Sequence, residues 1–327
     1  MATSNRPAAP ARESSEPAPA SVNGGAATSQ PGGEVATGSK SRSAHADDSR
    51  VGSKARPSSA PARFSSYLAP KEAIPARVAA GLALAGVLAF IGAWSALTYG
   101  GRVSDYFLPS PTAVLAEWGQ LIVDGGFFED VWASTRRILL GFAISAALAV
   151  PLGIVMGSFR FFQSLLEPLI GAVRYMPASA FIPLLIIWLG IGDAQKVGVV
   201  FIGVFFPLTL LIADVSAGVP KELVNIAYTL GASRWQVFSR VLLPASLPGV
   251  VDNLRITMGW AWTYLIVAEL VGAQNGIGHL ILQSQRFLAT DRIIASILTI
   301  GLHGVLTDGL FRLLSARLFP YVEKLQS

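Results

Sequence analysis

Few residues in this 327-residue chain are equipped for chemistry. It contains no cysteine, which removes disulfides, thiolate nucleophiles and Cys-ligated metals together. The histidines are His45, His279 and His303; with His45 in an N-terminal tail they do not make a three-His metal site. His303 and Asp308 share an apolar run and invite a proton-relay reading, but Arg312 follows Asp308 at i+4, the spacing of a local ion pair. Ser179 and His303 lie in different apolar runs without a Gly-x-Ser-x-Gly turn, so a serine hydrolase lacks its constellation. No Gly-Lys dipeptide occurs, which excludes a Walker A loop of the form G-x-x-x-x-G-K-[ST]. What remains are isolated charges in apolar surroundings, Arg174 and Glu269, and one polar-aromatic stretch.

The elements that hold them are set by composition. The chain is 52% apolar and 14% charged, with a mean hydropathy of +0.52, where soluble domains carry roughly a quarter charged residues. The pI near 9.6 comes from basic residues spread through termini and loops, the pattern of membrane orientation, not from the clustered basic face of a nucleic-acid binder. Residues 1–62 are rich in Ala, Ser, Pro and Gly and are expected to be a disordered cytoplasmic tail. The first apolar run follows it and is long enough to span, so it is not a signal peptide.

A spanning helix needs about 20 mostly apolar residues. Six windows qualify: 78–97, 138–157, 166–189, 197–213, 250–271 and 293–314. The third is interrupted by Pro177 and Pro183 and the fourth by Pro207, breaks that bundles tolerate and that often line a cavity. The fold class is all-α, a membrane-embedded domain over 63–327. With the N-terminus cytoplasmic, twelve Lys and Arg flank the spans inside and six outside, which places both termini in the cytoplasm. Arg136 and Arg137 sit against that rule. Trp94, Tyr99 and Trp188 suit span ends. Between the first two spans, Ser110 caps a helix with Pro111 at its first position, and Val114, Leu115, Trp118, Leu121 and Ile122 recur at helical spacing as an amphipathic surface helix.

Arg174 in the third span reads either as an attractor for an anionic solute or as a side chain snorkelling to the cytoplasmic interface. Ser179 either faces the same gap or bonds a carbonyl freed by proline; Met176 and Pro177 flank it. Trp260, Trp262, Thr263 and Tyr264 crowd the fifth span, either as a polar-aromatic lining or as packing and anchors. Glu269, near the outer end of that span, either caps a gate, bonds the neighbouring loop, or is an interfacial carboxylate.

The stretch "NIAYTLGASRWQVFSRVLLPASLPG", residues 225–249, covers most of the expected cytoplasmic loop over 219–245. Pro220 suits a helix start, and Leu223, Val224, Ile226, Ala227 and Leu230 form an apolar stripe. Gly231 stands where a helix ends with φ > 0, Ser233 can cap the next, and Leu243-Pro244 is expected to halt it. This segment resembles the EAA loop of permease subunits of bacterial ATP-binding-cassette importers, whose pattern is Glu-Ala-Ala, three residues, Gly, nine residues, Ile, one residue, Leu-Pro. Asn225, Ile226 and Ala227, then Gly231, Val241 and Leu243-Pro244 match its intervals, with Asn225 in place of the glutamate and Ile226 in place of the first alanine. Over 108–314 the motifs "LPSPTAVL", "FIPLLIIWLGIG" and "AELVGAQNGIGHLI" resemble the branch importing nitrate, sulfonates, taurine and bicarbonate.

The resemblance implies a type I importer transmembrane domain of the MetI-like kind. Asn225, Ala227, Gly231, Ala232, Val241, Leu243 and Pro244 would contact a separate ATPase, and ATP with magnesium would reside on that partner, leaving no cofactor in this chain. It further implies a permease homodimer in the bacterial inner membrane, an extracytoplasmic solute-binding protein and a path for a small anionic solute. A stand-alone secondary transporter or channel is the alternative; paired inverted repeats would mark it, and no clear repeat is visible.

Overall fold

The computed structural model describes residues 75–123 and 125–320. The tail expected over 1–62 lies outside the described residues. Among them the structure is helical without a strand: α1 Ala76–Tyr99, α2 Pro111–Val123, α3 Phe127–Ser158, α4 Arg160–Arg174, α5 Ile182–Leu189, α6 Asp193–Ala217, α7 Lys221–Thr229, α8 Arg234–Val237, α9 Leu243–Glu269, α10 Ile277–Arg286 and α11 Thr290–Leu318. A 3₁₀ turn, Ala178–Phe181, precedes α5, and a π turn, Phe238–Leu242, joins α8 to α9.

Helices α1, α3, α6 and α11 are long and apolar enough to cross a membrane. A fifth candidate is the pair Arg160–Arg174 and Ala178–Leu189, bent by 84°. The expected third window is therefore a broken element. Its break falls at residues 175–177 because the residue before a proline is driven out of the helical region, and Pro177 itself is extended at ψ 125°. Pro207, expected to interrupt the fourth window, lies inside an unbroken α6. One missing hydrogen bond there is outweighed by the burial of Val204, Leu208 and Ile212 around it. The fifth window, in α9, is long enough at 27 residues but falls short on hydropathy, since it carries Asp252, Asn253 and Arg255. These polar groups are served by neighbours: Asn253 Nδ2 donates to the Leu211 carbonyl at 3.1 Å, and Arg255 lies 3.6 Å from Asp308 of α11.

The core is built where α3, α6 and α9 meet. Val200, Val204, Leu208 and Ile212 form a four-residue stripe along α6 with no exposed surface, packed with Ile138, Phe142 and Ile154 of α3 and Met258, Ala261 and Leu265 of α9. Without a hydrophobic drive between helices in lipid, close approach of small residues supplies the attraction. At Gly153 a β-carbon would lie 2.6 Å from the Thr209 carbonyl oxygen, and at Gly157 2.2 Å from that of Ala213. Several buried hydroxyls are satisfied within their own helix; Thr257 and Thr299 donate to carbonyls four residues back at 2.8 and 2.9 Å.

Gly157→Ala tests this seam. The methyl group meets backbone, which cannot swing aside, so a loss of about 1–3 kcal/mol is expected, read as a lower thermal midpoint in detergent. Gly259→Ala is the control: nothing lies within 4 Å of its β-carbon position, and its midpoint is expected to hold or rise.

Leu243-Pro244 does not end a helix, as the sequence suggested. α8, the π turn and α9 run as one helix from Arg234 to Glu269. The wider π turn takes the Leu243 N–H to the Phe238 carbonyl, five residues back, and Pro244, which has no N–H to donate, follows directly on this widened turn. At the other end of the bundle α2 is capped by Ser110, whose Oγ accepts from the Ala113 N–H at 3.3 Å. Val114 and Leu121 of α2 are buried while Leu115 and Ile122 are exposed, so the seated stripe is narrower than expected. Glu117 anchors α2 to Arg292 of α11 at 2.6 Å.

Candidate functional site

The α7–α8 turn is rigid for local reasons. Gly231 adopts φ +82°; its N–H reaches the Tyr228 carbonyl at 2.9 Å and the Ala232 N–H reaches that of Ala227 at 3.0 Å. This is a Schellman ending, which needs a residue free to take positive φ. Two residues on, Ser233 Oγ accepts from the Gln236 N–H while the Gln236 side chain accepts from the Ser233 N–H, a complete capping box. Asn225 is exposed, Ala227 and Ala232 are half-buried, and Val241 and Leu243 are half-buried above an exposed Pro244. The expected apolar stripe divides. Val224 and Ala227 are half-buried, whereas Leu223, Ile226 and Leu230 are exposed, Leu230 at 82%, as is Trp235 of α8 at 69%. Trp235, Phe238 and Phe159 make tilted ring contacts in series, with centroids 5.4 and 5.5 Å apart, bracing this turn against the start of α4.

Arg174, Met176, Pro177 and Ser179 gather at the α4–α5 bend, all exposed. Arg174 Nη2 bonds the Tyr175 hydroxyl at 3.0 Å, and its guanidinium sits 4.9 Å over the Tyr175 ring. It opens on a cavity of about 570 Å³ that also holds Gln163, Glu167 and Asp214. Ser179 bonds no carbonyl among the described residues, so the proline-repair role is not observed. The polar-aromatic stretch of α9 also divides: Trp260 and Thr263 are exposed, while Trp262 is buried with its ring 5.4 Å from that of His303. His303 Nδ1 contacts the Thr299 carbonyl, and Asp308 pairs with Arg312 at 2.7 Å, the local pair its spacing predicts.

Glu269 lies elsewhere, at the end of the bundle opposite the α7–α8 turn, and has no exposed surface. Its Oε1 is 2.6 Å from Arg137 Nη1, its Oε2 accepts from the Gly278 N–H at 2.9 Å, and Ser134 Oγ lies 2.9 Å from both oxygens. The backbone partner of Glu269 is therefore in the first turn of α10, just past the neighbouring loop, and its side-chain partners are on α3. Arg137, 3% exposed, also bonds Asp193 at 2.7 Å through Nε, the Asn275 carbonyl at 2.9 Å and the Asn275 side chain. Arg136 pairs with the same Asp193. Gly276 takes φ +115°, and a β-carbon there would lie 2.4 Å from Glu269 Oε1 and 2.7 Å from Arg137 Nη1; its N–H goes to Asp130 at 2.7 Å.

One guanidinium thus ties α3, α6, α9 and the α9–α10 loop into a clasp. Ser134, Arg137, Asp193 and Asn275 were not picked out from the sequence. The available signal was the placement of Arg136-Arg137 against the positive-inside pattern.

The family model of binding-protein-dependent transport system inner membrane components matches residues 149–320. A Brucella abortus (strain 2308) protein named as an ABC transporter permease is 37% identical over 75% of this chain and 96% of its own length. The taurine transport system permease protein of Escherichia coli (strain K12) is 34% identical over 68% of this chain and 83% of its own. Among solved structures, an inward-facing methionine ABC transporter matches with a TM-score of 0.52 at 19% identity, covering 58% of this chain and 94% of that one.

Proposed function

This chain belongs to the binding-protein-dependent inner-membrane components of ABC transporters, and from that premise we propose that it is the permease subunit of an importer for a small anionic solute of the sulfonate, taurine, nitrate or bicarbonate class. ATP hydrolysis belongs to a separate chain that grips the α7–α8 turn, and both termini face the cytoplasm with it. Two copies of the permease enclose the path, and an extracytoplasmic binding protein delivers the solute at the clasp end.

The observation that carries this reading is the outward apolar face of Leu223, Ile226, Leu230 and Trp235 on a turn locked by a Schellman ending and a capping box. Such a patch, on a soluble-facing element that its own bundle leaves uncovered, fits a protein partner. The same segment begins a helix that runs from Arg234 to Glu269, about 54 Å at 1.5 Å per residue. A displacement imposed at its cytoplasmic end by nucleotide-driven closure of the ATPase therefore reaches the opposite face without an intervening joint, apart from the compliance of the π turn. Such coupling needs a two-state element biased at one end. The name of the taurine permease relative and the sequence motifs support the solute class.

On this reading Arg174 at the bend offers charge-assisted hydrogen bonds to the passing anion, contacts worth about 1.5–3 kcal/mol each. In proteoliposomes holding permease, ATPase and binding protein, Arg174→Leu is expected to lower ATP-driven uptake about tenfold or more while the complex still assembles. Unchanged uptake by an assembled variant removes Arg174 from the path. Full-rate uptake by the permease alone overturns the importer reading itself.

A further inference from the structure

At the clasp, Arg137 is answered by Glu269 and Asp193, and Arg136 by Asp193. Lys196, one turn into α6, is not answered. It is 2% exposed, and among the described residues no carboxylate stands at ion-pair distance from it. Its ammonium carries three donors and makes one hydrogen bond, 3.0 Å to the Gly192 carbonyl. A buried cation is costly unless it is paired and hydrogen-bonded; Asp193 and Glu269 act on this group only from beyond ion-pair distance, and both are already held by arginines. It lines a cavity of about 200 Å³ together with Gly272, Gln274 and Asn275. Asn275 accepts from Arg137 through Oδ1, which leaves its amide N–H groups to point elsewhere, and Gln274 adds a second amide. The one carboxylate at the cavity, Asp193, is held by both Arg136 and Arg137.

We propose that this cavity is a binding site for a small oxoanion group, with the Lys196 ammonium as its counter-charge and the Gln274 and Asn275 amides as further donors. It is separate from the Arg174 bend, which lies in the middle of the chain's broken element, and it sits at the face where a binding protein would release solute. The assignment of the anion as transported cargo rests on the importer reading; the site itself rests on Lys196. A sulfonate or nitrate from solution and the phosphate of a lipid headgroup share the required chemistry.

The test uses the permease–ATPase complex in a maltoside detergent, which carries no phosphate. Equilibrium dialysis against labelled ethanesulfonate, and separately against labelled dihexanoyl phosphatidylglycerol, reads the two sources. Saturable binding of at least one is expected, weakened tenfold or more in Lys196→Met, about threefold in Gln274→Leu, and largely kept in Lys196→Arg. Preference for ethanesulfonate makes the site a solute station; preference for the lipid makes it a headgroup site. Binding of neither by the wild-type complex, or binding by Lys196→Met equal to wild type, overturns the proposal and leaves Lys196 as a tether for the Gly190–Gly192 turn. Because Gln274→Leu changes an exposed side chain, it reads the site even if Lys196→Met fails to assemble. Failure of the ATPase to copurify at all would count against the importer reading instead, so the two failures are told apart.

Discussion

Arg137→Met is expected to destabilise the bundle by about 3–5 kcal/mol, the cost of breaking a buried ion pair and leaving its partner charged and alone. Glu269 has no exposed surface to which water could return. Asp193, 40% exposed at its side chain, keeps Arg136 and suffers less. The same change frees both acceptors of Asn275 and so loosens the α9–α10 loop, whose Gly276 is seated by contact with the guanidinium. Thermal unfolding of the purified protein in detergent measures the loss. The pair itself is a different matter, since desolvation offsets much of its attraction. The double variant Arg137→Met with Glu269→Met is therefore expected to recover a substantial part of what the single variant loses. A single variant as stable as the wild type would mean that the clasp is open in the purified protein.

Gly231→Asp is expected to abolish uptake and to release the ATPase while leaving the bundle inserted and folded. Gly231 has φ +82° and open space around its β-carbon position, and aspartate is among the residues that tolerate the left-handed region. The folding cost stays near 1 kcal/mol. What changes is the surface we propose for the ATPase, where a carboxylate is introduced beside Leu230 and Ala232. Gly231→Asn separates bulk from charge, and an intermediate loss of uptake is expected for it. Copurification of the ATPase with the membrane-extracted permease, followed by uptake in proteoliposomes, makes the measurement. Normal copurification and transport by Gly231→Asp would refute the docking role of the α7–α8 turn.

These two variants act at opposite ends of one helix. In the coupling we propose, the clasp at Glu269 serves as a pivot for that helix and the turn at Ser233 as a handle, so that displacement at the handle tilts or shifts the elements the pivot joins. Bistability of that kind needs interfaces that repack between discrete arrangements. The glycine seam between α3 and α6 supplies the opposite property, a contact too close to slide without separating.

Much of this was legible in residue order because its causes are local. Apolar length marks α1, α3, α6 and α11, since crossing a bilayer is a matter of rise per residue. Gly231, Ser233, Ser110 and the Asp308–Arg312 pair were readable because a cap or an i+4 contact involves residues within one turn. Prolines are less predictable from residue order. Pro177 broke its helix, yet Pro207 and Pro244 did not, because packing on either side of Pro207 and a π turn before Pro244 absorbed the lost hydrogen bonds. No rule confined to neighbouring residues distinguishes these cases.

Sequence alone therefore determined an all-helical membrane chain with a capped two-helix turn and the family pattern within it. Only the tertiary structure decided which charges meet: Arg137 and Glu269 are 132 positions apart, Arg137 and Asp193 56, and whether they touch depends on how three helices are rotated about their axes. The same rotation buried Lys196 with no carboxylate at ion-pair distance among the described residues. Helical periodicity sets which residues share a face, but the identity of the opposite face is fixed by packing between segments remote in the chain.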